Sequence, residues 1–235
     1  MATLTDPIHQ MQTLAALFSQ TFPIGAFSYS HGIESAIATG KIYDFNTSYD
    51  WVKTCLIGGS GHNDAILMAN TYNTAKDGSS DHGITDEIRA INELSFALCS
   101  GAERAQESRE LGDNFVRTVD QIYQLGLEQS SPLAYPVAAG LTVRYLGCDL
   151  KLGLTFFLQG FVSNLISVLV RSVPIGQSDG QIMLARLMPA MAKLAEEAET
   201  ATLDDVGGYA ILADHASILH ETLEPRIYRT LLVII

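Results

Sequence analysis

Apolar residues recur at helical spacing from one end of this chain to the other. Asp6-Pro7 sets a capping carboxylate before a helix-starting proline, and Ile8, Met11, Ala15 and Phe18 follow at intervals that keep one face. Ser30 is placed to cap a short helix carrying Ile33 and Ile37, which Gly40 would close in the left-handed conformation. Asn46 or Thr47 opens a helix through Trp51, Val52 and Leu56, and His62 or Asn63 opens the next. Between Asn73 and Thr85 the composition turns polar, with Ile84 the one large apolar residue, which predicts an exposed loop. From Asp86 to Glu128 the positions Ile88, Ile91, Leu94, Leu98 and then Leu111, Phe115, Val119, Ile122 predict two helices or one long bent one. That stretch sets four Arg against nine Asp and Glu, which reads as a solvated outer face.

The block from Ser130 to Ala185 has only five charges, Arg144, Asp149, Lys151, Arg171 and Asp179, and reads as the core. Pro136 and Pro174 bound its helices, Asp179 starts the next, and Pro189 predicts a kink in it. A last helix runs through Tyr209, Leu212, Ala216 and Leu219 until Pro225 stops it. Strand signals are confined to Leu141–Tyr145 and Leu231–Ile235, neither with a hairpin partner nearby. The expectation is an all-α, single-domain helical bundle of about eight to ten helices over residues 1–235, with no internal repeat or composition break to divide it.

Composition narrows the function. Fourteen Lys and Arg against 26 Asp and Glu give a formal net charge of -12, which disfavours nucleic acid and anionic membranes as partners. Charged residues make up 17% of the chain, below the ordinary ~25%, so part of the surface is expected to be covered by a partner or a second copy. Cys55, Cys99 and Cys148 are odd in number and far apart, which fits a reducing cytoplasm. The first residues resemble neither a secretion signal nor a transit peptide, so no export is expected. Leu152 to Val170 is long enough without a charge to span a bilayer. Gln159, Ser163, Asn164 and Ser167 nevertheless form a polar stripe along it, which predicts a central core helix instead.

Catalytic signals are weak. Gly58-Gly59-Ser60-Gly61 lacks the Lys-Ser/Thr of a phosphate-binding loop and reads as a turn. Ser28 and His31 lie close in sequence without the Gly-x-Ser-x-Gly of a nucleophile elbow. His31 with Glu34 and His62 with Asp64 could pair as metal ligands, but no Glu-x-x-His pair occurs. His215 and His220 diverge around a helix, so no metal or other cofactor is expected. What remains is polar clusters at Phe22–Glu34, Glu107–Gly112, Arg171–Gln181 and His220–Thr230, which could shape loops or form a binding surface.

Phe22 to Glu34, Arg171 to Gln181 and His220 to Arg229, in this order, resemble the urease accessory protein family UreF. Pro136–Gly140 and Phe157–Leu165 match as well, so the likeness covers nearly the whole chain. It implies an all-α, homodimeric, non-enzymatic adaptor that bridges UreD (also called UreH) and the GTPase UreG while nickel is delivered to apo-urease. Residue by residue, Pro23, Gly25, Phe27, Tyr29, His31 and Glu34 match the N-terminal motif, and Arg171, Pro174, Gly176, Gln177 and Gln181 the central one. His220, Glu221, Arg226, Tyr228 and Arg229 match the C-terminal motif that engages UreD, with residues 226–235 a docking tail. The apolar extension Leu231–Ile235 departs from the family's usual ending. Two rival readings stand beside this one, a metal-dependent helical enzyme and a helical adaptor unrelated to urease.

Overall fold

The computed structural model describes residues 6–75, 84–127 and 132–228. Most of the loop predicted at 73–85 lies outside these residues, as do Arg229 and the apolar extension at 231–235. Among the described residues there are ten α-helices, short 3-10 turns and no strand. The helices are α1 Pro7–Leu17, α2 Ile33–Ala38, α3 Phe45–Gly58, α4 Ser60–Thr74, α5 Asp86–Ala97, α6 Ala102–Tyr123, α7 Tyr135–Tyr145, α8 Leu150–Ser172, α9 Gln177–Thr200 and α10 Ile211–His220.

Local chemistry explains most of the helix starts. The Asp6 carboxylate accepts from the backbone N–H groups of Ile8 and His9, as predicted. In α3 the cap is Asp44, one residue before the helix: its carboxylate accepts from Thr47 N at 2.8 Å, and Thr47 Oγ1 accepts from Asp44 N at 3.1 Å. Ser30 caps nothing. Gly32 stands at the head of α2, with φ 76° and no side-chain cap. The alternating stretch Leu141–Tyr145 lies within α7, where both its apolar and its intervening positions are covered. The helix assigned to Tyr209–Leu219 begins at Ile211 and ends at His220, five residues short of Pro225.

The apolar stripes did not always name the buried face. On α1 the core takes Thr13, Leu14 and Leu17, while Ile8, Met11 and Ala15 face out. That helix has apolar residues on two sides, and it lies on the surface of α8, which covers only one of them. On α10 the buried residues are Ala213, Ala216, Ser217 and His220, leaving Ile211, Leu212, Ile218 and Leu219 exposed.

The long uncharged α8 is the central helix. Its most apolar stretch has a mean hydropathy of 1.7, and the helix is long and apolar enough to cross a membrane, yet half of that stretch is buried inside the protein. It packs against α9, α4, α3, α1, α2 and α7. Behind it α4 and α7 approach closely because Gly140 has no side chain: a Cβ there would lie 2.5 Å from the Met68 carbonyl oxygen. The helix α6 runs along α7. Its first turns and α2, α10 and the chain after α10 form a polar end to an otherwise apolar bundle.

Candidate partner-docking site

The Phe22–Glu34 segment reverses the chain twice. Gly25 lies in the left-handed region at φ 82° and leads a 3-10 turn over Ala26–Ser28. Tyr29 is buried and its hydroxyl donates to Glu110 Oε2 at 2.8 Å. His31 and Gly32 are both left-handed, at φ 54° and 76°. At Gly32 a Cβ would meet Ser217 N at 2.8 Å, so α2 can dock on α10 this closely only with glycine there. The strained His31 backbone is held by what its ring touches.

His31 sits against α4 and α6. Its Nε2 accepts from the Ser60 hydroxyl at 2.6 Å, and its Nδ1–H points to Glu107 Oε1 at 3.5 Å, an arrangement that fits the neutral ring. Glu107 forms an ion pair with Arg104, and both side chains are largely buried. Burial lowers the His31 pKa, and the Arg104 guanidinium lowers it further against the opposing pull of Glu107. Burial alone would raise Glu107, but Arg104 and His31 hold it down at about 2. Asp64 is pushed up to about 7 by burial, although Arg104 acts in the other direction. These four side chains form the polar wall of a cavity of about 150 Å³, whose remaining lining includes Phe18, Phe22, Leu111, Phe157 and Phe161.

His220 lies deeper, between two carboxylates. Its Nδ1 is 2.8 Å from Glu103 Oε2 and its Nε2 is 2.9 Å from Glu34 Oε2. The Glu34 oxygens also accept from the backbone N–H of Ile227 at 2.6 Å and of Tyr228 at 3.1 Å. Arg226 turns back under this segment, its Nη1 donating to the His220 carbonyl at 3.2 Å and lying 3.7 Å from Glu103 Oε1. Glu221 Oε1 accepts from Glu103 N at 3.2 Å. Tyr228 is buried beneath Arg171, whose guanidinium lies 5.3 Å from the ring centroid. Burial would lower the His220 pKa, but its hydrogen bonds to Glu103 and Glu34 raise it above the usual value.

The structure thus brings Tyr29, His31, Glu34, Arg171, His220, Glu221, Arg226 and Tyr228 to one end of the bundle, most of them facing inward. Phe27 is 66% exposed and Ile227 is 89% exposed, so these two present apolar surface there. Pro23 is exposed at the start of the N-terminal segment. Pro174, Gly176, Gln177 and Gln181 do not join the cluster; Pro174 and Gly176 stand on the exposed turn from α8 into α9, and Gln177 and Gln181 on the first turns of α9. Gly176 has φ -85°, an ordinary value, and its N–H donates to Asp179 Oδ2 at 2.8 Å. Gln177 and Gln181 line a groove with Gln20 and Gln159, of about 300 Å³ and without a charged residue in its lining.

The sequence model of one family, described as UreF, matches residues 42–188. Over 230 residues the chain is 34% identical to the urease accessory protein UreF of Ruegeria pomeroyi, spanning 98% of this chain and all of that protein. It is 38% identical to the urease accessory protein UreF of Bradyrhizobium diazoefficiens over 223 residues, 92% of this chain and 90% of that one. The chain belongs to the UreF family. The segment matched by the UreF model runs from just before α3 into α9, so both Glu34 and His220 lie outside it, within the parts that the full-length UreF relatives also span.

Several site residues of this UreF-family chain were missed in the sequence. Arg104 and Glu107 were read as part of a solvated acidic face, yet Glu107 is buried and Arg104 nearly so. The signal was present: Arg104, Ser108, Leu111 and Phe115 share one face of α6, and Glu107 stands four residues before Leu111. Ser60, read only as part of a glycine-rich turn, is the first residue of α4, with Gly59 alone between α3 and α4, and its hydroxyl holds His31. The two suspected metal pairs separate, since Glu34 turns to His220 while Asp64 and His31 line the cavity. Among the described residues no three His, Cys, Asp or Glu side chains converge as a ligand set. Burial raises the Cys55 thiol to about 12 and those of Cys99 and Cys148 to about 11, so none is a ready thiolate.

Proposed function

We propose that this chain is a non-enzymatic adaptor of urease maturation, bridging UreD and the GTPase UreG as a homodimer while nickel passes to apo-urease in the cytoplasm. The observation that carries the reading is membership of the UreF family along nearly the full length of relatives named urease accessory proteins. Three features support its finer parts. The exposed stripe Ile211, Leu212, Ile218 and Leu219 on α10, with Ile8 and Met11 on α1, offers apolar surface of the kind a second copy or partner covers. Residues 226–228, with Ile227 outward, offer UreD a preformed docking edge, and the groove lined by Gln177 and Gln181, without charge in its lining, offers a second face. Three unpaired cysteines suit a reducing compartment.

Affinity capture of the full chain from cells expressing UreD, UreG and the urease subunits tests the adaptor reading. Retention of all three is expected; retention of none would favour an unrelated helical adaptor. Removing residues 226–235 is expected to abolish UreD capture, whereas removing 231–235 weakens it modestly and raises solubility. Light scattering at micromolar concentration is expected to give a dimer. Purified protein dialysed against a mild chelator is expected to retain no stoichiometric nickel and to hydrolyse no GTP.

A further inference from the structure

We infer that His220 is a pH-sensitive clasp: its doubly protonated ring ties Glu34 to Glu103, and Glu34 in turn holds residues 226–228 on the bundle, so the segment is released as His220 loses a proton. The geometry requires it. A neutral imidazole has a single N–H, yet both ring nitrogens face carboxylate oxygens at 2.8 and 2.9 Å. Only the imidazolium donates to both. On deprotonation one nitrogen turns a lone pair toward a carboxylate, and the two carboxylates lose the cation between them.

The surrounding groups agree with this assignment. From α2 comes Glu34, from α6 Glu103, and from the terminal segment Arg226, which is itself 3.7 Å from Glu103. On α10 itself Glu221 is committed to the Glu103 backbone. Arg104, Glu107 and His31 line the same small cleft, but Arg104 and Glu107 pair with each other and His31 is held by Ser60. Ser30 Oγ lies 3.5 Å from Nε2, and beyond Tyr228 stands Arg171. The His220 pKa is raised, so the bound proton persists above the ordinary histidine range.

Two of the amides that report docking are those of Ile227 and Tyr228, because Glu34 is the acceptor for both. The clasp concerns the isolated chain and stands whether or not UreD is its partner. Hydrogen exchange of the full chain, with protection taken relative to unstructured rates at each pH from about 6 to about 9.5, tests it. Protection at Ile227 and Tyr228 is expected to fall by up to about tenfold per pH unit above the ordinary histidine value, while α8 amides stay protected. His220→Gln is expected to leave both amides unprotected at every pH. Glu103→Gln is the deciding variant: its amide can donate to Nδ1 of a neutral ring that still donates to Glu34, so the segment stays docked and its protection no longer varies with pH. Wild-type protection that stays level across the range would overturn the proposal, as would Glu103→Gln losing protection in parallel with wild type.

Discussion

His31 and His220 both stand against the start of α6, 8% and 3% exposed, and each faces a carboxylate of that helix. Burial acts against the charged ring in both, yet their pKa values move in opposite directions. The difference lies in the company each keeps. At His31 burial is the largest influence and the Arg104 guanidinium adds to it, which together outweigh the pull of Glu107, itself paired with Arg104. His220 has two carboxylates in hydrogen-bond contact and one more distant arginine. Depth alone therefore does not give the sign; the balance of charge within hydrogen-bond reach decides whether burial prevails.

The largest expected effect comes from unbalancing the His31 side. Glu107→Ala leaves Arg104 buried without its partner and is expected to cost about 3–5 kcal/mol in denaturant unfolding. Replacing Arg104 and Glu107 together by leucine and methionine should cost less than that single change, because neither member of the ion pair is left buried without the other. Next comes His220→Leu, which removes the bridge between Glu34 and Glu103. A loss of about 1.5–3 kcal/mol is expected, the scale of one hydrogen bond to a charged group, with increased proteolysis after residue 220 as a second readout.

The pH dependence separates the two rings more finely. His31, lowered below its usual 6.5, contributes stability at neutral pH that is lost as pH falls below that value. His220, raised above 6.5, contributes stability that is complete below that value and lost as pH rises through its higher folded pKa. In unfolding curves collected from acid to alkaline pH, His31→Gln is expected to flatten the acid limb and His220→Gln the alkaline limb. A common slope change in both variants would mean that the rings are not opposed. Smallest is Ser60→Ala, which removes the donor to His31 Nε2 and is expected to cost about 1 kcal/mol by the same measurement.

The helices were legible because a 3.6-residue period survives whatever packs on it, and Asp6 and Pro136 marked their starts through chemistry confined to a few residues. Which side of a helix is buried was less legible. On α1 and α10 apolar residues lie on more than one side, and only the position of the neighbouring helix chooses between them. The polar site was half visible. Glu34 and His220 stood out within motifs, but their contact joins residues 186 positions apart, and no local pattern encodes it. Glu107 stood in one of the polar clusters but was also read as part of a solvated face, and Arg104 could have been found from its register with Ser108, Leu111 and Phe115; the acidic balance of the stretch hid the burial of both. Gly176, by contrast, stands at the turn into α9 with an ordinary backbone and an uncrowded Cβ position, so nothing in its local geometry explains its place in the motif.

The place of α8 in the chain also matters while the protein is being made. Its most extensive neighbour, α9, follows it in sequence, so a ribosome releases the 23 residues of Leu150–Ser172 before the helix that covers them exists. For that interval α8 shows water a surface apolar enough to be mistaken for a membrane span. Nascent chains carrying a tunnel-spanning linker after residue 172, so that α8 has emerged without α9, should therefore be captured by holdase chaperones or aggregate, and chains carrying the same linker after residue 200 should not, since by then α9 has emerged and closed over its predecessor.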